Sequence, residues 1–274
     1  MKIRMIALLL LALCVGLLSG CASQRDSAVI VAGSTSVQPY AEVLSEEYAL
    51  LYPEDIVDVQ GGGSSAGITA VMSGTADIGM SSRALHDKEL ELWNVVIAKD
   101  GLAVIVHPGN PLTNLSLEQV RAIYAATVND WGELGGREAE IHVIAREEGS
   151  GTRSAFEDLV MAKEEITPRA IVQSSNGAVR QLVSGDPNAI GFISLGLVDH
   201  TVKALQLGGV MPTWDSVMAG EYTLYRPFLF VVNGEPTGAT EHFIDYTLSA
   251  EGQQALMHEG LIPMMIPDAE EAEE

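Results

Sequence analysis

Apolar residues recur along this chain in two rhythms. Short runs rich in Val, Ile and Ala predict β-strands at 28–32, 56–60, 78–80, 102–107, 141–145, 189–193, 202–207 and 225–232. Between them, apolar positions spaced three and four apart predict helices at 39–51, 67–73, 88–93, 117–125, 154–162, 178–184, 214–218, 239–248 and 251–258. Pro39 suits a first helical turn, where its missing N–H costs nothing. Strand–helix alternation over most of the length predicts an α/β fold. No repeat of 20–50 residues interrupts it.

The two ends break the rhythm. Lys2 and Arg4 precede an apolar run from Met5 to Leu18. That is short for a bilayer-spanning helix, which needs about 20 residues, but suits a secretory signal. The run ends in Leu18-Ser19-Gly20-Cys21, which has the form of a lipobox. The expected organisation is a signal peptide at 1–20, lipidation at Cys21, and a linker at 21–27. Asp268 to Glu274 carries five acids in seven residues, so 267–274 is expected to be a solvated tail. An ordinary signal peptide and a single-span anchor are the alternatives at the N-terminus.

Charge sharpens this picture. The 274 residues carry 15 Lys+Arg against 37 Asp+Glu, a formal net of −22. Loss of residues 1–20 would take the net to −24. So acidic a surface argues against nucleic-acid binding. With 47% hydrophobic residues the chain can build a sizeable core. The two Cys give no disulfide framework, since Cys14 falls in the signal and Cys21 would carry lipid. No His/Cys/Asp grouping has metal-ligand spacing, and no cofactor is expected.

One junction recurs: a strand, a Gly/Ser/Thr loop, then a helix. It occurs at Gly33-Ser34-Thr35-Ser36, at Gly61-Gly62-Gly63-Ser64-Ser65, at Ser81-Ser82-Arg83 and at Gly149-Ser150-Gly151-Thr152. Glycines admit a ligand close to the backbone. Free N–H groups and the positive end of the helix dipole favour an anion there. Hydroxyls add rotatable donors. Arg146 and Arg153 flank the last loop, and Arg83 ends the third. A guanidinium presents a planar fork to two oxygens of a tetrahedral oxyanion. Arg153 can instead pair with Glu157 at i+4, and Glu147 and Glu148 can orient Arg146.

The segments AGSTSVQP (32–39), QGGGSSAGI (60–68), ADIGMSSRAL (76–85), REEGSGTR (146–153) and AIGFISLG (189–196), in this order, resemble the PstS-like family of phosphate ABC transporter substrate-binding lipoproteins. The resemblance runs from about residue 28 to 265. It implies a two-lobed periplasmic-binding-protein fold of type II, with the ligand in a cleft between lobes joined by two hinge strands. The first lobe is expected at 28–106 plus 226–266, the second at 107–225. Implied phosphate ligands are Ser34, Thr35, Ser36, Ser64, Ser82, Arg83, Arg146, Ser150, Gly151 and Thr152. Implied partners are inorganic phosphate and the permease subunits of an ABC transporter, with a lipid anchor as the only membrane attachment. A monomer is expected. At Ser82 the family's best-known form carries an Asp that accepts the ligand's proton, so the group taking that role here stays open.

Other readings remain. Gly63-Ser64-Ser65-Ala66-Gly67 matches G-x-S-x-G, a nucleophile elbow that would make Ser65 catalytic with Asp199 and His200, His242 or His258 downstream. The other three oxyanion loops have no place in that mechanism, and no enzyme is expected. Sulfate, molybdate or tungstate could occupy the same loops.

Overall fold

The computed structural model describes residues 28–264. Cys21, the expected signal segment at 1–20 and all of the acidic tail expected at 267–274 lie outside the described residues. Strands β1 (Ala28–Gly33), β2 (Ile56–Gly61), β3 (Ile78–Ser81), β4 (Trp93–Val106), β5 (Asn114–Leu115), β6 (His142–Arg146), β7 (Ile171–Gln173), β8 (Ala189–Ser194), β9 (Lys203–Ala204), β10 (Gln206–Leu207), β11 (Tyr225–Val232) and β12 (Ile262–Pro263) alternate with helices. These are α1 (Gln38–Leu51), α2 (Ser64–Met72), α3 (Leu117–Tyr124), α4 (Gly151–Phe156), α5 (Asn176–Gly185), α6 (Trp214–Met218), α7 (Ala239–Leu248) and α8 (Ala250–His258). Among the described residues no helix is long and apolar enough to cross a membrane.

The main sheet runs β2-β1-β3-β11-β4-β8-β6-β7, with β9 and β12 also paired to β4. β1 pairs in parallel with both β2 and β3, so α1 and α2 are crossover helices. Every residue of β3 and of β8 is buried, as expected of strands covered on both faces.

Two main hydrophobic cores lie along this sheet. One gathers Val31, Leu44, Met80, Phe228, Phe230 and Phe243. The other gathers Val104, Tyr124, Phe156, Val160, Ile190 and Phe192. Phe156 stacks on Phe192 with centroids 4.0 Å apart. Each such side chain contributes about 1.5–3 kcal/mol by leaving water.

Strand β4 passes from one core to the other. Through Gly101 it pairs antiparallel with β11; from Leu102 it pairs with β8. Leu102, Val104 and Val106 therefore pack with the second core, while Ala103 and Ile105 pack in a separate cluster with Ile144, Val179 and Ile193.

Several elements differ from the sequence expectation. The helix expected at 88–93 is a 3-10 turn, Asp87–Glu91, closed by a reciprocal cap between His86 and Glu89. Trp93 already belongs to β4, because Val95 and Val96 are β-branched and pair with Phe230 and Leu229 of β11. The helix expected at 154–162 starts earlier, at Gly151, and becomes a π-turn over Glu157–Met161. The strand expected at 202–207 is split: Leu205 turns into the core between β9 and β10.

Candidate functional site

The expected loops converge. Ser34, Ser36, Ser64, Ser82, Ser150 and Thr152 are each 2% exposed or less, far below what loop hydroxyls show on a surface. Ser34 Oγ donates to Ser82 Oγ at 2.8 Å, and the Ser82 amide donates to Ser64 Oγ at 3.1 Å. Those contacts join three loops of the first core. The fourth loop reaches them from the second core: Ser36 Oγ lies 2.7 Å from Thr152 Oγ1, and the Ser65 amide donates to the Gly149 carbonyl at 3.1 Å.

Glycine makes the approach possible. A Cβ on Gly151 would meet Ser82 Oγ at 2.5 Å and would also overlap Ser64 Oγ. Gly63 has φ +93°, a conformation L side chains rarely adopt, and it faces the Gly149 carbonyl. Ser150 caps α4, its Oγ accepting from the Arg153 amide at 3.3 Å.

Arg146, at the end of β6, is 1% exposed. Its Nε and Nη2 each donate to Glu147 at 2.9 Å, and Nη2 also reaches Thr35 Oγ1 at 3.1 Å. The carbonyls of Gln173 and Ser174 accept further bonds at 3.2 Å. Its Nη1 is buried and has no partner among the described protein atoms. A buried guanidinium N–H left in this way suits an anionic acceptor.

Two participants escaped the sequence reading. Asn176, the first residue of α5, is 1% exposed and donates from Nδ2 to Ser36 Oγ at 2.8 Å. Its Oδ1 is buried and unpartnered. The stretch Gln173-Ser174-Ser175-Asn176-Gly177 is a fifth junction of the same strand–loop–helix kind, so the signal was present. The second is Arg226 on β11, 2% exposed, whose Nη2 lies 3.3 Å from Ser36 Oγ. Asp100, directly opposite on β4, accepts from its Nε at 3.1 Å and Nη2 at 3.0 Å. Ser194 Oγ donates to the other Asp100 oxygen at 2.7 Å. Burial raises the Asp100 carboxyl above the usual carboxylate range, against the pull of Arg226. Burial likewise lowers Arg226, against the pull of Asp100.

Arg83 sits differently. It makes a forked pair with Glu89, at 2.7 and 2.9 Å, and reaches Ser65 Oγ at 3.3 Å. It lines a cavity of about 410 Å³ with Ser65, His86, Glu148, Ser150 and Arg153 beside the hydroxyl cluster. Arg153 pairs with Glu157 at 2.8 Å and donates to the Arg146 carbonyl at 2.9 Å. Ser65, the expected nucleophile of the hydrolase alternative, is engaged by Arg83 and not by a histidine. Among the described residues no group of three His, Cys, Asp or Glu is placed to hold a metal.

Residues 21–251 match the profile of a PBP superfamily domain. The phosphate-binding protein PstS of Borreliella burgdorferi is 30% identical over 275 residues, covering 94% of this chain and 98% of its own. That of Bacillus subtilis is 29% identical over 247 residues, covering 88% and 82%. A crystal structure from Clostridium perfringens, described as a phosphate ABC transporter substrate-binding protein with bound phosphate, superposes with a TM-score of 0.85. It is 41% identical and covers 87% of this chain and 100% of its own.

Proposed function

The chain belongs to the PBP superfamily and, within it, to the PstS-like phosphate-binding proteins, and on that premise we propose that it binds inorganic phosphate for delivery to an ABC transporter. The observation that carries this reading is the buried hydroxyl cluster closed across two cores at Ser36 and Thr152, with Arg146 Nη1 left free beside it. Ser34, Thr35, Ser36, Ser64, Ser82, Arg146, Ser150, Gly151 and Thr152 form the ligand shell. Arg83 acts at its edge, spending its fork on Glu89. The protein is a binding protein, not an enzyme; hydrolysis of ATP belongs to the transporter.

The two lobes divide at the crossing of β4 and β11, near residues 99–101 and 224–226. Loops from each lobe supply donors, so closure would remove the ligand from water and strengthen every charge-assisted bond. Net acidity does not oppose this, because exposed charges are screened beyond about 8–10 Å. Asn176 Oδ1 is the buried acceptor left over in the shell, and it takes the hydroxyl of a singly protonated phosphate. A neutral amide thus fills the role for which Ser82 has no carboxylate. Sulfate, molybdate and tungstate present no such hydroxyl. The lobes stand outside the cytoplasmic membrane as a monomer anchored through lipid on Cys21, and the permease subunits receive the ligand.

Calorimetric titration of the chain from residue 22 with phosphate, sulfate, molybdate and arsenate tests the assignment. Phosphate and arsenate are expected to bind best. A preference for sulfate would overturn the ligand and leave the cleft.

A further inference from the structure

The two cores meet at an ion pair that the loop motifs do not contain. Arg226 and Asp100 face each other across the antiparallel register of β11 and β4, where the chain crosses between cores. Both are 2% exposed or less, and the guanidinium carbon lies 5.4 Å from the centre of the Phe228 ring. A pair serving only to join two strands would use its donors on the carboxylate and on nearby carbonyls. Here Nη2 is shared between Asp100 and Ser36 Oγ, the hydroxyl that also holds Thr152 and Asn176. Nη1 has no partner among the described protein atoms, as with Arg146 Nη1. The two guanidiniums are close enough for the Arg146 charge to depress the ionisation of Arg226. Two buried guanidiniums, each backed by one carboxylate and each with a spare N–H, suit an anion shared between them.

We propose that Arg226 is a second guanidinium ligand of the bound oxyanion, held in place by Asp100, so that the site selects a dianion and ties its capture to the crossing strands. This rests on the phosphate reading and extends it. Arg146 arrives from the second lobe and Arg226 from the strand between the lobes. A dianion bridging them would hold the cleft shut without a carboxylate in the hydroxyl cluster. The charged and titratable groups facing Arg226 are Asp100 on β4, Arg146 on β6 and Tyr40 on α1, whose hydroxyl burial keeps protonated.

The test is calorimetry of the purified protein with inorganic phosphate at two pH values bracketing the ligand's second ionisation. Wild type is expected to bind more tightly at the higher pH. Arg226→Gln is expected to weaken binding at least tenfold at the higher pH and by less at the lower, shrinking the ratio between them. Arg226→Lys is expected to restore part of that ratio. Should Arg226→Gln fail to fold, the paired change Asp100→Leu with Arg226→Met replaces it, since a buried ion pair often yields to apolar residues without loss of stability; the same contraction is expected. A folded variant that binds phosphate within threefold of wild type at both pH values would overturn the inference and leave Arg226 a strand-joining residue. No phosphate binding by wild type would instead overturn the phosphate reading on which the inference stands.

Discussion

Ser36 and Thr152, 116 residues apart, bring their hydroxyl oxygens to 2.7 Å with both side chains buried. That contact closes the first core's loops onto the second's, and it depends on the absence of a side chain at the neighbouring Gly151. Gly151→Ala places a methyl against Ser64 Oγ and Ser82 Oγ. The clash is relieved by opening the cleft, so the cost falls on closure rather than on folding. Phosphate affinity is expected to drop at least tenfold, about 1.4 kcal/mol, with little change in the unfolding temperature of the ligand-free protein. Unchanged affinity would show that the loops need not approach this closely.

Arg146→Ala removes the fork that joins Glu147, Thr35 and two carbonyls and leaves the buried shell without its principal charge. A loss of at least tenfold in phosphate affinity is expected by calorimetry. Ser150→Ala removes a hydroxyl from the shell and a helix cap, the latter costing roughly 1 kcal/mol of stability. It is expected to lower both affinity and unfolding temperature. Wild-type affinity in both variants would remove this loop from the site.

The four loops were legible because glycine and serine between a strand and a helix carry a local chemical meaning. Their meeting was legible only through the resemblance. Arg226 was not legible as a site residue: in Tyr225-Arg226-Pro227-Phe228 it reads as one polar position in a strand, and its partner Asp100 lies 126 residues away. Only strand register brings the two together. Trp93 reads as the end of a helix at 88–93 because Leu90 and Trp93 suggest helical spacing, while the deciding fact is antiparallel pairing of Trp93 with Val232 of β11. Asn176 was overlooked although its loop repeats the motif.

Asn176 supplies the next test. Its Nδ2 donates to Ser36 Oγ, and its Oδ1, buried without a partner among the described protein atoms, is the acceptor proposed for the ligand's hydroxyl. Asn176→Leu keeps the volume and removes both functions. Phosphate binding is expected to fall by at least tenfold and sulfate binding by less, so the preference between them narrows. Equal losses for the two anions would assign Asn176 a purely structural role.

Acid should reach the protein through the Arg83–Glu89 pair. The Arg83 fork holds the Glu89 carboxyl below its ordinary value of 4.5, with help from the His86 amide. A depressed folded pKa means the stabilisation is complete above the unfolded value and is lost as pH falls through the folded one. Glu89→Gln is therefore expected to be less stable than wild type near neutrality. The difference should shrink below about pH 4.5 as wild type loses its own ion pair. The pair is partly exposed, so the difference is small and salt-sensitive. Denaturant titrations across that range measure it; a pH-independent difference would contradict the assignment.

Gly67, in the first half of α2, separates helix propensity from packing. Alanine favours an exposed helix interior by about 1 kcal/mol over glycine. At this position its Cβ would lie 2.6 Å from Gly33 Cα and would overlap the Ala32 carbonyl oxygen. Those are backbone atoms of β1 and of the turn that carries Ser34 to Ser36, and they have no rotamer to move. Overpacking of this kind costs roughly 1–3 kcal/mol, and backbone contacts belong at the upper end. Gly67→Ala is thus expected to lower the unfolding temperature by several degrees despite its better propensity. It should weaken phosphate binding as well, because β1 and its loop must shift together. A more stable variant would mean that α2 can slide away from β1, and the first loop would then lack the rigid support this site requires.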